Sequence, residues 1–237
     1  MKKFIKFLKI AFLPCATIFV GSIFTGAYFT DSIKVSNNSL TTGSWSATAT
    51  STATGTSTPL PSGNVVLNEL MWMGSVGGVQ DEWIELRNTT NSTIDLSNWQ
   101  ITGMDGSMTE GLLVTIPAGK TISANGIFLI SRKAKDISAI NVDPDLVDND
   151  AFLSNSTLKI RLYSGDWTNS ANIVDTAGGG GSPLAGLNGT SKQSMSRNST
   201  PGDGTQATSW YTDTTSNSTT YWDSADGNYG TPGGPNV

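Results

Sequence analysis

Val65-Val66-Leu67-Asn68-Glu69-Leu70 is followed by Asp81-Glu82-Trp83-Ile84-Glu85-Leu86-Arg87-Asn88 and then by Ile94-Asp95-Leu96-Ser97-Asn98-Trp99-Gln100-Ile101. Each run is short and rich in β-branched, aliphatic or aromatic residues. Polar residues that favour turns break them up, at Asn88 to Ser92 and at Ser97-Asn98. That is the pattern of successive β-strands. Alternation puts Val65, Leu67 and Glu69 on one face of the first strand, and Val66, Asn68 and Leu70 on the other. In the next, Ile84 and Leu86 oppose Trp83, Glu85 and Arg87. Working outward, strands are predicted at Leu112–Ile116, Lys120–Ser123, Ile127–Ser131, Thr157–Tyr163 and Asn172–Asp175, with turns at Pro117-Ala118-Gly119 and Ala124-Asn125-Gly126. No window carries a helical period, and Ala134 to Ile140 has room for a single turn. The expected class is all-β, a sandwich or barrel.

Composition removes much chemistry. The 237 residues include no His and one Cys, Cys15. A Ser-His-Asp or Cys-His nucleophile needs an imidazole, and a zinc site normally draws on His or Cys. Carboxylate chemistry and oxygen-ligated metals stay open. Lys2, Lys3, Lys6 and Lys9 precede an uncharged stretch from Ile10 to Phe29, with small residues at Thr25-Gly26-Ala27. Residues 1–27 therefore read as a signal peptide, or as a membrane anchor, since about 20 apolar residues suffice to span a bilayer. Either reading exports the rest of the chain to a secreted or cell-surface location. Beyond Ala27 lie ten basic residues against all nineteen acidic ones, a net of −9. Such a surface repels phosphate backbones, so nucleic acid is not an expected partner. The one basic cluster, Arg132-Lys133-Ala134-Lys135, reads as a solvated strand end. The membrane enters only through the N-terminal segment.

Residues 28–62 form a linker. From Ser46 it is almost wholly Ser, Thr, Ala, Gly and Pro, too poor in apolar side chains to offset chain entropy. Its start, Tyr28-Phe29-Thr30-Asp31-Ser32 through Thr42-Gly43, resembles the mature N-terminus of camelysin-type surface fibre proteins, which implies a bacterial cell-surface setting. Residues 63–237 are long enough for one core. Their last part, about 177–237, is rich in Gly, Ser, Thr and Asn. Its sparse anchors Trp210, Tyr211, Tyr221, Trp222 and Tyr229 either pin a long loop to the sandwich or mark a disordered tail.

The opening strand with Asn68-Glu69, the strand from Glu82 to Asn88 and the Asp95-Leu96-Ser97-Asn98-Trp99 segment together resemble the start of a lamin tail domain. The later elements also fit: Ile116-Pro117-Ala118-Gly119, Ile173-Val174-Asp175, Ser194-Met195-Ser196-Arg197 and the closing Thr231-Pro232-Gly233-Gly234-Pro235-Asn236. The resemblance implies an immunoglobulin-like antiparallel β-sandwich and a non-enzymatic module. It also implies structural roles for the shared residues Asn68, Glu69, Trp83, Glu85, Asn88, Asp95, Leu96, Trp99 and Arg197. Trp83 or Trp99 is expected to pack between the two sheets. Glu69 and Glu85 are expected to accept backbone N–H bonds or to pair with Arg87 or Arg197.

The first functional expectation is an exported structural or adhesive module that binds a cell-envelope component, glycan or protein, through loops and sheet edges. The second is a carbohydrate-binding module. Sugar rings stack on exposed aromatic faces, and Trp72, Trp210, Tyr211 and Trp222 are the candidates; buried loop anchors are the plainer reading. A calcium site is compatible with both. Asp143, Asp145, Asp148 and Asp150 place four carboxylates in eight residues, although the spacing is not that of an EF-hand. A glycosidase-like use of Glu69 and Glu85 as acid and nucleophile would need their carboxyl groups about 5 Å apart in a substrate cleft.

Overall fold

A computed structural model describes residues 63–104, 106–215, 220–223 and 227–236. The expected leader (1–27) and linker (28–62) lie outside these residues. In chain order the strands are β1 (Val65–Met71), β2 (Trp83–Asn88), β3 (Ile94–Asp95), β4 (Gln100–Met104), β5 (Glu110–Thr115), β6 (Thr121–Ile122), β7 (Ile127–Ser131) and β8 (Leu146–Val147). They continue as β9 (Ile160–Tyr163), β10 (Ile173–Ala177), β11 (Leu187–Asn188), β12 (Lys192–Gln193), β13 (Met195–Arg197), β14 (Trp210–Thr212) and β15 (Asn228–Tyr229). The strand predicted at 127–131 matches β7, and the other four predictions are shifted or trimmed at their ends. The single turn expected between 134 and 140 is a 3-10 turn at Lys135–Ile137.

Two sheets build the immunoglobulin-like sandwich. One has the order β14-β13-β1-β2-β7-β8, and the other β10-β9-β4-β5. All pairings within them are antiparallel except β7 with β8. Turn chemistry enforces the reversals. Asn125 adopts φ 52° before Gly126, whose N–H donates to Ser123 O at 2.9 Å. Asn98 takes φ 63° while Trp99 N–H donates to Leu96 O, as Asn tolerates the left-handed region.

Register shows which side chains share a face. Leu67 lies opposite Leu86 and Leu70 opposite Ile84, but the β1–β2 register shifts between Leu67 and Glu69. Asn68 is therefore the extra residue of a bulge. It keeps Leu67 and Leu70 on one face and turns Glu69 to the other, beside Glu85. Strict alternation had grouped Glu69 with Leu67, and the bulge corrects that assignment. Leu67, Leu70, Ile84 and Leu86 meet Ile101, Ile160 and Leu162 of the second sheet in the buried core. Each such side chain contributes about 1.5–3 kcal/mol by leaving water.

Trp83 lies opposite Met71 and Ser131, on the face that carries Glu85. It is fully buried but faces away from the second sheet, so of the two indoles Trp83 and Trp99, one of which is expected between the sheets, Trp83 is not the one. Trp99 is buried in the core cluster just before β4.

The segment after Ala177 is no mere tail. It contributes β13 and β14 to the larger sheet, and its last described residues cover that sheet's outer face.

Candidate functional site

The Asn68 bulge brings Glu69 and Glu85 directly opposite one another, and neither side chain has any solvent exposure. Glu69 Oε1 accepts from Ser194 Oγ at 2.5 Å and from Thr231 N–H at 3.0 Å, while Oε2 accepts from Thr231 Oγ1 at 2.9 Å. Glu85 Oε1 accepts from Asn68 Nδ2 at 2.6 Å, and Oε2 accepts from Gly233 N–H at 2.8 Å. Asn236 closes the arrangement: its Nδ2 donates to Asn68 O and to Arg197 O, and its Oδ1 accepts from Asn68 Nδ2. The terminal Thr-Pro-Gly-Gly-Pro-Asn motif is thus a strap over two paired carboxyl groups.

Burial pushes the Glu69 carboxyl up to about 7, against the pull of the Ser194 hydrogen bond and with the charge of Asp213 adding to the rise. Glu85 is pushed well above the usual range by burial, and next by the charge of Glu69. Backbone N–H bonds to the carboxyl groups are present as expected. The expected pairing with Arg87 or Arg197 is absent. Arg87 Nη2 donates to Asn198 O and Ser199 O instead, and Arg197 pairs with Asp175. A glycosidase needs substrate access to both carboxyl groups. Here every carboxylate oxygen accepts from the protein and none is open to solvent.

Arg197 is the second centre. Register with Met195 and Trp210 places it between the two sheets at their edge. It is 1% exposed, lies 4.6 Å over the Trp210 ring and pairs with Asp175 of β10 at 3.3 Å. Its Nη2 donates to Gly202 O at 2.7 Å. Beside it opens a groove of about 480 Å³ lined by Val66, Asp175, Arg197, Gly202, Asp203 and Thr205, among others. Gly204 is fixed by this packing: a Cβ there would run into Thr176 O and the Arg197 guanidinium.

The remaining shared residues hold turns and core. Asn88 Nδ2 donates to Ser92 O and Ser123 O, and its Oδ1 accepts from Thr90 N–H. Asp95 Oδ1 accepts from Ser97 N–H, and Leu96 is fully buried.

The four aromatic candidates do not assemble into a sugar platform. Trp72, Trp210 and Trp222 are buried, and their indole N–H groups donate to Ala185 O, Gly204 O and Gly230 O. Tyr211 alone is partly exposed. They anchor the chain after Ala177, because a buried indole N–H needs an acceptor.

Nor do the four aspartates converge. Asp145 Oδ2 accepts from Leu129 N–H on the edge of β7, and Asp148 Oδ1 accepts from Asp150 N–H in a local turn. Asp143 lines a separate groove with Asp136 and Asp223. Among the described residues no three acidic, His or Cys side chains are grouped as a metal site.

Sequence reasoning missed the exposed apolar end of the second sheet. Met108 holds φ 65° at the tip of the β4–β5 hairpin and is 58% exposed. Leu112 on edge strand β5 and Phe152 are 44% and 50% exposed and line a shallow groove of about 130 Å³. That β5 lies at the end of its sheet is decided by the order of strands, which no local pattern in the sequence carries.

No curated protein matches the chain. The model of the lamin tail domain family matches residues 58–182, more than half of the sequence. The match covers the bulge, both carboxyl-bearing strands and the whole second sheet, and on that ground the chain belongs to the lamin tail domain family.

Proposed function

We propose that this chain is an exported structural or adhesive module of a bacterial cell surface, binding a glycan or protein of the envelope through its loops and sheet edges. The carrying observation is the β4–β5 hairpin. It ends in a strand with no neighbour beyond β4 among the described residues, and it exposes Met108 at its tip and Leu112 beside Phe152. Apolar side chains at an open edge favour contact with a partner surface. The aromatics buried after Ala177 serve the domain's own packing, which leaves loops and edges as the binding surface. Export rests on the sequence alone: the basic start, the apolar stretch from Ile10 to Phe29 and the small residues before Tyr28. The net charge of −9 beyond Ala27 argues against a nucleic-acid partner.

Two measurements test the reading. Fractionation of the native host with intact-mass analysis should find the chain outside the cytoplasm, either starting near Tyr28 or full-length in the membrane. The protein should then sediment with purified envelopes, and Leu112→Asp should weaken that binding without lowering the melting temperature. Cytoplasmic full-length protein would overturn export. Envelope binding unaffected by Leu112→Asp would overturn the hairpin as the contact.

A further inference from the structure

We propose that the C-terminal segment 230–236 is a proton-linked clasp, closed over the Glu69–Glu85 pair while the pair retains a proton and released as both groups ionise. The geometry carries the argument. Two carboxyl groups that face each other from neighbouring strands are removed from water by one segment. That segment contributes Thr231 N–H, Thr231 Oγ1 and Gly233 N–H to them, and it is tied down at Asn236.

The surrounding charges do not neutralise a doubly ionised pair. On β2 the cation is Arg87, whose charge favours ionised Glu85 less than burial and the Glu69 charge oppose it, and whose Nη2 donates to Asn198 O and Ser199 O. On β13 it is Arg197, committed to Asp175 and Gly202 O. After β14 comes a third buried acid, Asp213, whose Oδ2 accepts from Ser196 Oγ. On β14 Tyr211 lies opposite Ser196, and Tyr221 packs against Gly234 of the clasp; β7 and the clasp itself contain no titratable side chain. Two adjacent anions without a bonded cation in a dry site are costly, and water is the available remedy. Opening the clasp admits it.

The five hydrogen bonds that favour the charged form, one each from Ser194, Asn68 and Gly233 and two from Thr231, oppose this tendency. Two of the groups that make them, Thr231 and Gly233, leave with the clasp. The raised titration of both carboxyl groups agrees in direction. Closing therefore takes up a proton, and rising pH favours the open form, which bares the outer face of the larger sheet.

Amide hydrogen exchange on the full chain tests this. Protection at Thr231 and Gly233 is measured against amides of β4 and β9 in the second sheet, at mildly acidic and mildly alkaline pH, after correction for intrinsic exchange. One linked proton changes the opening equilibrium by up to about tenfold per pH unit above the titration point. The expected result is thus a loss of about tenfold or more in relative protection at the clasp alone. Glu85→Gln removes one of the two charges and should flatten the dependence. A clasp-to-reference ratio that is constant with pH overturns the proposal, as does unchanged pH dependence in a folded Glu85→Gln. Should that variant fail to fold, Glu69→Gln serves the same purpose, and the wild-type ratio alone remains decisive.

Discussion

Asp175 and Arg197 meet where the ladder between β1 and β13 stops. That pairing covers Glu69–Ser196 and Leu70–Met195, so Leu67, paired with Leu86 of β2, has no β13 residue on its other side. Asp175 Oδ2 accepts from Leu67 N–H at 2.9 Å, and Arg197 Nη1 lies 3.4 Å from Leu67 O. An ion pair thus stands in for a missing strand and bolts the second sheet to the first. Burial raises Asp175 above the usual carboxylate range, opposed by the Arg197 charge, so the pair depends on both members being present.

Removing one member should therefore cost far more than removing both. Asp175→Ala leaves the Arg197 charge buried without its partner, a loss of about 3–5 kcal/mol for groups of this kind. Replacing both residues with apolar side chains of similar volume should recover much of that loss. Urea unfolding of the two variants checks this. A single-variant loss below about 1 kcal/mol would show that the pair does not hold the edge.

Stability should peak at mildly acidic pH. Glu69 titrates near 7 when folded against 4.5 as its ordinary value, and Glu82, buried beside Arg132, near 6. A carboxyl whose folded pKa is raised gives stability that is complete below the unfolded value and is lost as pH climbs through the folded one. For Glu69 the difference corresponds to on the order of 3 kcal/mol, gone by about pH 8. Asp95, Asp166 and Asp203 act in the opposite sense at the acid end. Hydrogen bonds from Ser97, Thr168 and Thr205 lower them, so their contribution fades as pH falls through their folded values. Urea midpoints taken from about pH 4 to pH 8 should decline on the alkaline side. A rise from pH 5 to 8 would contradict the reading.

The sequence disclosed the class and most strands because alternation and turn residues are local signals. β7 and the Asn125-Gly126 turn needed nothing more. Faces were another matter. A single bulged residue, Asn68, inverts the parity of everything after it, and only the partner strand reveals where the extra residue lies. Trp83 falls on the face that alternation assigns it, with Glu85, but local pattern does not say that this face is covered as well, so its burial does not place it between the sheets. The same limit applies to the chain after Ala177. Its partners lie more than 100 residues earlier, as in the contact of Thr231 with Glu69, and no local pattern announces a pairing of that span.

Asp145 shows how an acidic run can be structural. Parallel β8 pairs with β7 through Leu146 and Val147, opposite Ile130 and Ser131. One step earlier the Asp145 carboxylate, not a carbonyl, accepts from Leu129 N–H at 2.8 Å, while Asp145 O accepts from Lys120 Nζ. The side chain extends the ladder by one rung. Asp145→Ala should leave the Leu129 N–H without that acceptor and destabilise the protein by about 1–3 kcal/mol. Asp143→Ala and Asp150→Ala, which remove no such acceptor, should cost little. Thermal melts of the three variants with and without millimolar calcium separate the two readings of the run. The expected pattern is a deficit confined to Asp145→Ala and the same at any calcium level. A calcium-dependent stabilisation of the wild type, lost in all three variants, would instead mean that the aspartates gather around an ion.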